Sequence, residues 1–217
     1  MAILRNRHHN YDPVWHVEVI VLAVIVLQLV LPDRFVFGVR WLLPTLEGLL
    51  ALLLLATTPR EKVFKSLARR LNVILLLAAV GLGNLYALLR VAGQLLQHGR
   101  ISSGRELILT AINIYLTNII VFALLYWEMD AGGPGYRRVA EEAERDFLFP
   151  QNSIPGQHGW HPTSIDYLYV SSTNATAFSP TDTMPLSRRA KMLMLGQSII
   201  SLTVVALVAA RAVNILN

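Results

Sequence analysis

Cysteine is absent from all 217 residues, which rules out disulfides, iron–sulfur clusters and thiolate metal sites. Charge is scarce. Charged residues make up 15% of the chain, against about a quarter in a typical soluble domain. Motifs of hydrolytic or phosphate chemistry are missing too: no Gly-x-Ser-x-Gly, no His-Glu-x-x-His and no phosphate loop. The aspartates Asp12, Asp33, Asp130, Asp146, Asp166 and Asp182 fall in loops or at segment ends, not inside apolar runs as a membrane aspartyl protease needs. Neither an enzyme nor a cofactor-bound protein is expected. The beginning of the chain has no small-residue cleavage site after its first apolar run, so that run reads as an uncleaved anchor.

Apolar residues are what the chain has in abundance: 54% of it is hydrophobic and its mean hydropathy is +0.48. They gather in runs close to the roughly 20 residues that cross a bilayer. The expected architecture is an all-α membrane protein with five transmembrane helices, at 14–31, 37–57, 71–96, 107–127 and 190–216. Residues 1–106 would form a peripheral three-helix bundle, and 107–217 a second, pore-like unit. The loop 58–70 carries Arg60, Lys62, Lys65, Arg69 and Arg70 against Glu61 alone, so it is expected in the cytoplasm, with the N-terminus on the same side. The net charge of +5 is explained by this orientation bias and not by nucleic-acid binding.

A polar region, 129–165, separates the last two spans. It opens on Ala131-Gly132-Gly133-Pro134-Gly135, a flexible break. The charged stretch 137–146 reads as a short surface helix, and Phe149, Trp160 and their neighbours suit the headgroup layer. The run 164–170 is too short to span but long enough for a half-helix, with Ser164 as its N-cap. It leads into the Ser/Thr-rich stretch 171–182, expected to be non-helical. Non-helical polar backbone at membrane depth must be buried in protein or line water. A re-entrant pore-helix and loop before the last helix follows from that constraint. Its hydroxyls and carbonyls would serve as ion ligands: Thr173, Asn174, Thr176, Ala177, Phe178, Ser179, Thr181 and Asp182, with Asp166 at the mouth. The competing reading is a polar connector packed among helices.

Other intramembrane polar residues have similar double readings. Glu47 is either a functional carboxylate, with Arg90 or Arg211 as partner, or a structural or interfacial group. Arg90 and Arg211 lie toward segment ends, where snorkelling accounts for them. Asn84, Asn113, Asn118 and Gln197 fit interhelical hydrogen bonding. His158 and His161 beside Trp160 lack further ligands for zinc, so no metal is expected.

The tail resembles the pore domain of the tetrameric potassium-channel superfamily. Asp166 and Asp182 bracket Tyr167-Leu168-Tyr169-Val170-Ser171 and the polar stretch, and Pro185-Leu186-Ser187-Arg188 leads into the last helix. Where that family has Thr-Val-Gly-Tyr-Gly, this chain has Thr176-Ala177-Phe178-Ser179-Pro180-Thr181. Without glycines the backbone does not readily turn successive carbonyls inward, and Pro180 removes a donor. The resemblance implies a homotetrameric ion channel with a non-standard filter, and the carboxylates of Asp166 and Asp182 at its mouth would weakly favour cations. A small transporter, or an accessory subunit docking through 171–182, is the alternative. The whole chain also resembles a family of uncharacterised bacterial membrane proteins with a basic loop after the second span, which implies a bacterial inner membrane.

Overall fold

The computed structural model describes residues 14–36, 41, 45, 48–49, 67–96, 104–137, 144–155, 160–176 and 182–216. Five α-helices dominate them: α1 (Val14–Val30), α2 (Leu67–Leu96), α3 (Gly104–Met129), α4 (Ser164–Ala175) and α5 (Arg188–Leu216). A two-residue antiparallel pair, β1 (Phe147–Leu148) with β2 (Met184–Pro185), joins Phe147 to Pro185 and Leu148 to Met184. Three helices are long and apolar enough to cross a membrane, over Arg70–Gln94, Arg105–Gly132 and Arg188–Arg211. They correspond to the third, fourth and fifth expected spans. The first is the 17-residue α1; most of the second, with Glu47, lies outside the described residues.

The spans are apolar on every side, which is why they need a membrane. On α2, Val73, Leu76, Leu77 and Val80 are buried while Leu71, Leu75, Leu82 and Leu89 are exposed. Two clusters fix the helix directions. Val73, Leu76, Leu77 and Val80 pack with Val121 and Leu124 of α3 and Val24 of α1. Ala87, Leu88 and Val91 pack with Leu107, Ala111 and Ile114 of α3, and with Leu31, Phe35 and Val204. Early α2 therefore meets late α3, so the two run antiparallel. The start of α2 and the end of α3 share one pole of the bundle.

A third cluster closes that pole. Tyr126 and Trp127 of α3, Phe147 of β1 and the nearby Phe149, Tyr167 and Val170 of α4, and Ala190 and Met194 of α5 are all buried together. The end of α3 makes room for it through a tight exit. Ala131 has φ 51°, Gly132 φ 82° and Gly133 φ 98°, and a Cβ on Gly133 would sit 3.0 Å from the Glu128 carbonyl oxygen. Only glycine fits that approach with that φ.

Two sequence expectations change. The N-cap of α4 is Thr163, not Ser164: Thr163 and Asp166 form a capping box, in which the Thr163 backbone N–H donates to Asp166 Oδ2 at 2.7 Å. The helix also continues through the polar residues Ser171 to Ala175 instead of ending at 170. Hydroxyls satisfied within the helix explain why. Ser172 Oγ donates to the Leu168 carbonyl at 2.8 Å, and Thr173 Oγ1 to those of Tyr169 and Val170, each at 3.0 Å. In an apolar setting such back-bonding offers these groups what water would otherwise supply.

Candidate functional site

Helix α4 starts at the closed pole and descends between α3 and α5. At the pole, Tyr167 OH donates to Asp130 Oδ2 at 2.5 Å. One turn further, Ser171 Oγ donates to the Ile119 carbonyl at 2.6 Å. Two residues short of its C-cap, Asn174 Nδ2 donates to the Met194 carbonyl at 3.0 Å and to Gln197 Oε1 at 2.8 Å. Gln197 lies about 14 Å along α5 from Arg188 at ~1.5 Å per residue, and Ile119 about 15 Å along α3 from Met129. The last turn of α4 therefore reaches near the middle of the α3 span.

The chain then comes back to the pole it left. Met184 and Pro185 pair with β1, and the Leu186 N–H donates to the Asp146 carbonyl at 2.8 Å. A stretch from 176 to 184 reaches at most about 25–29 Å when extended, enough for that return.

Gln197 is the centre of the deep contacts and is fully buried. Its Oε1 accepts from Tyr126 OH at 2.6 Å as well as from Asn174. Its Nε2 donates to the Ser171 carbonyl at 3.0 Å and to Ser171 Oγ at 2.7 Å. One amide thus joins α3, α4 and α5 with every donor and acceptor used. Below it, Asn118 Nδ2 donates to Ser201 Oγ at 2.9 Å. Asn84 donates to the Ile114 carbonyl at 3.0 Å and Asn113 to that of Leu27 at 2.5 Å. All four expected hydrogen-bonding amides do bridge helices.

A second polar centre sits at the pole. Asp130, fully buried, accepts from the Asp146 and Phe147 N–H groups at 2.7 and 3.3 Å through Oδ1. Arg137 Nε lies 3.6 Å from its Oδ2. The Arg137 guanidinium stacks 4.7 Å from the Tyr167 ring centre and donates to the Trp127 and Pro162 carbonyls. Burial holds the Tyr167 phenol well above its usual pKa, so it stays a donor to Asp130. Asp146, also buried, takes a two-pronged contact from Arg189 of α5, at 2.7 and 2.8 Å. Arg137 and Asp146 are therefore internal, which corrects the expectation of a surface helix over 137–146 at both its ends; 138–143 lie outside the described residues.

The sequence-predicted ligands fall into three groups. Thr173, Asn174 and Thr176 lie in the deep end of α4, with Asn174 turned into the bundle and Thr176 exposed. Asp182 is exposed two residues before β2, and Asp166 serves the capping box of α4. Ala177, Phe178, Ser179 and Thr181 lie outside the described residues. Arg90 is exposed and Arg211 half-buried, and neither forms an ion pair among the described residues. Sequence reasoning missed Asp130, Arg137 and Tyr126 as site members; the signal available was an acid and a base flanking a glycine-rich break. Comparison with protein-family models, curated proteins and solved structures finds no match for the chain.

Proposed function

We propose that the chain is the subunit of a homo-oligomeric ion channel in which α4 and the residues leading to Asp182 form a re-entrant hairpin. The observation that carries this reading is the path of α4. It enters at the pole where α5 begins, ends beside Gln197 at mid-span, and is followed by a strand pairing back at the same pole. A connector lying at the interface would not place its last turn near the middle of the two spanning helices, α3 and α5, that it packs against.

Chemistry at the tip favours cations. The negative end of the α4 dipole lies deep in the bundle. Thr176 Oγ1 donates its proton to the Ser172 and Thr173 carbonyls at 3.0 and 3.2 Å. With the proton engaged, the oxygen offers lone pairs outward and acts only as an acceptor. Thr173 is disposed likewise. Copies arranged around an axis, four in the arrangement the resemblance implies, would bring these oxygens together, with Asp182 at the entrance. The basic sequence 58–70 runs into α2, whose start shares this pole, so by its charge the hairpin enters from the cytoplasmic side of a bacterial inner membrane.

A second reading, a small transporter or accessory subunit, is favoured by one feature: Ser171 and Asn174 spend their polar groups inside their own bundle. Flux from liposomes containing only this protein separates the two. Under K⁺ and Na⁺ gradients a channel gives cation flux that falls at least severalfold in Thr176→Val and changes its K⁺/Na⁺ ratio in Asp182→Asn. Absence of flux in both insertion orientations, across pH and voltage, would reject the channel for the transporter or accessory reading.

A further inference from the structure

One face of α5 changes character along its length. Arg188, Lys191, Met192, Leu195, Ile199, Leu202 and Val205 recur at the three- and four-residue steps that define one side of a helix, and all are exposed. The two cations occupy the first turn, where the apolar span begins. After them the exposed residues on this face are apolar apart from Thr203, whose hydroxyl is turned back to the Ile199 carbonyl at 2.8 Å. Arg189, on another side, is committed to Asp146. Arg188 and Lys191 form no ion pair among the described residues. Beside them, Met184 and Leu186 are also exposed, at 58% and 44%.

We propose that this face is a binding site for an anionic phospholipid, with the phosphate held by Arg188 and Lys191 and the acyl chains laid along Met192, Leu195, Ile199 and Leu202. The lengths agree. From Met192 to Leu202 the helix rises about 15 Å at ~1.5 Å per residue, and one leaflet contributes about half of a ~30 Å hydrocarbon core. The charges agree as well, since paired basic groups at the boundary attract anionic headgroups and give no advantage with zwitterionic ones. Guanidinium and ammonium together suit a phosphodiester, the first by a forked contact and the second as a point charge. A protein partner would have to match two cations at one end of an otherwise featureless apolar stripe. A lipid has that shape already. The proposal does not depend on the channel reading.

The test is thermal stability of the full chain in neutral detergent, with phosphatidylglycerol, phosphatidylcholine or inorganic phosphate added. Phosphatidylglycerol should raise the melting temperature by several degrees, and the other two should not. Arg188→Gln with Lys191→Gln should abolish that rise while leaving the melting temperature without lipid within about a degree. Arg90→Gln, distant in the chain, should keep the rise. Equal stabilisation by both lipids, or a rise that survives the double substitution, would overturn the site. So would reproduction of the rise by inorganic phosphate, which would mark a free-anion site instead.

Discussion

Asp130→Ala is expected to destabilise the detergent-solubilised protein by about 3–5 kcal/mol, the cost of stranding a buried charge. The carboxylate serves three elements at once. It receives two backbone N–H groups at β1 and the Tyr167 hydroxyl of α4, and it faces Arg137 from the end of α3. Alanine would leave a guanidinium at 3% exposure without its counter-charge, and a fully buried phenol without its acceptor. Asp130→Asn keeps an acceptor oxygen for the N–H groups and loses the charge, so its loss should be smaller. Thermal melting of the three proteins in one detergent checks this order. A wild-type melting temperature for Asp130→Ala would mean that β1 and α4 are not pinned through this residue.

Gln197→Leu should be nearly as damaging, for a different reason. Leucine matches the volume and suits the apolar span, so hydrophobicity alone predicts a neutral or favourable change. The partners decide otherwise. Tyr126 OH, Asn174 Nδ2 and Ser171 would each lose a contact in a place where water does not replace it. At about 1–3 kcal/mol for each buried group left unsatisfied, lowered because side chains in membranes find substitutes, a loss of about 2–4 kcal/mol is expected. Gln197→Glu keeps Oε1 and loses the donor to Ser171, and should also fall below wild type. If the channel reading holds, cation flux should fall in both variants, since α4 loses its anchor at the tip. A leucine variant as stable as wild type would show that the Gln197 hydrogen bonds do not hold α4 in place.

The spans were legible because nothing but a membrane accommodates runs such as α2, with leucines on all sides. The interhelical role of Asn118 and Gln197 was legible for the same reason: an amide in such a run must find a partner. Which partner could not be read, since Gln197 meets Tyr126, 71 positions away, and Asn174, 23 away. The length of α4 was misjudged because Ser and Thr favour turns in water, whereas here their hydroxyls return to helix carbonyls. The pole was hardest. A stretch as charged as 137–146 normally means a solvated surface, yet Arg137 and Asp146 at its two ends are buried against Asp130, across the glycine-rich break, and Arg189, 43 positions on. Charge in sequence reports exposure only where the partner is water.

In a re-entrant hairpin the chain enters and leaves at one pole, and the lack of native cysteine makes that directly measurable. Ile154→Cys, Met184→Cys and Arg105→Cys place single thiols at three exposed positions, before the hairpin, after it, and at the far end of α3. Labelling with a membrane-impermeant maleimide in sealed, uniformly oriented vesicles should modify the first two from the same side and Arg105→Cys only from the other. Modification of Met184→Cys from the Arg105 side would make 164–183 a crossing segment, and the re-entrant hairpin, with the channel built on it, would be wrong.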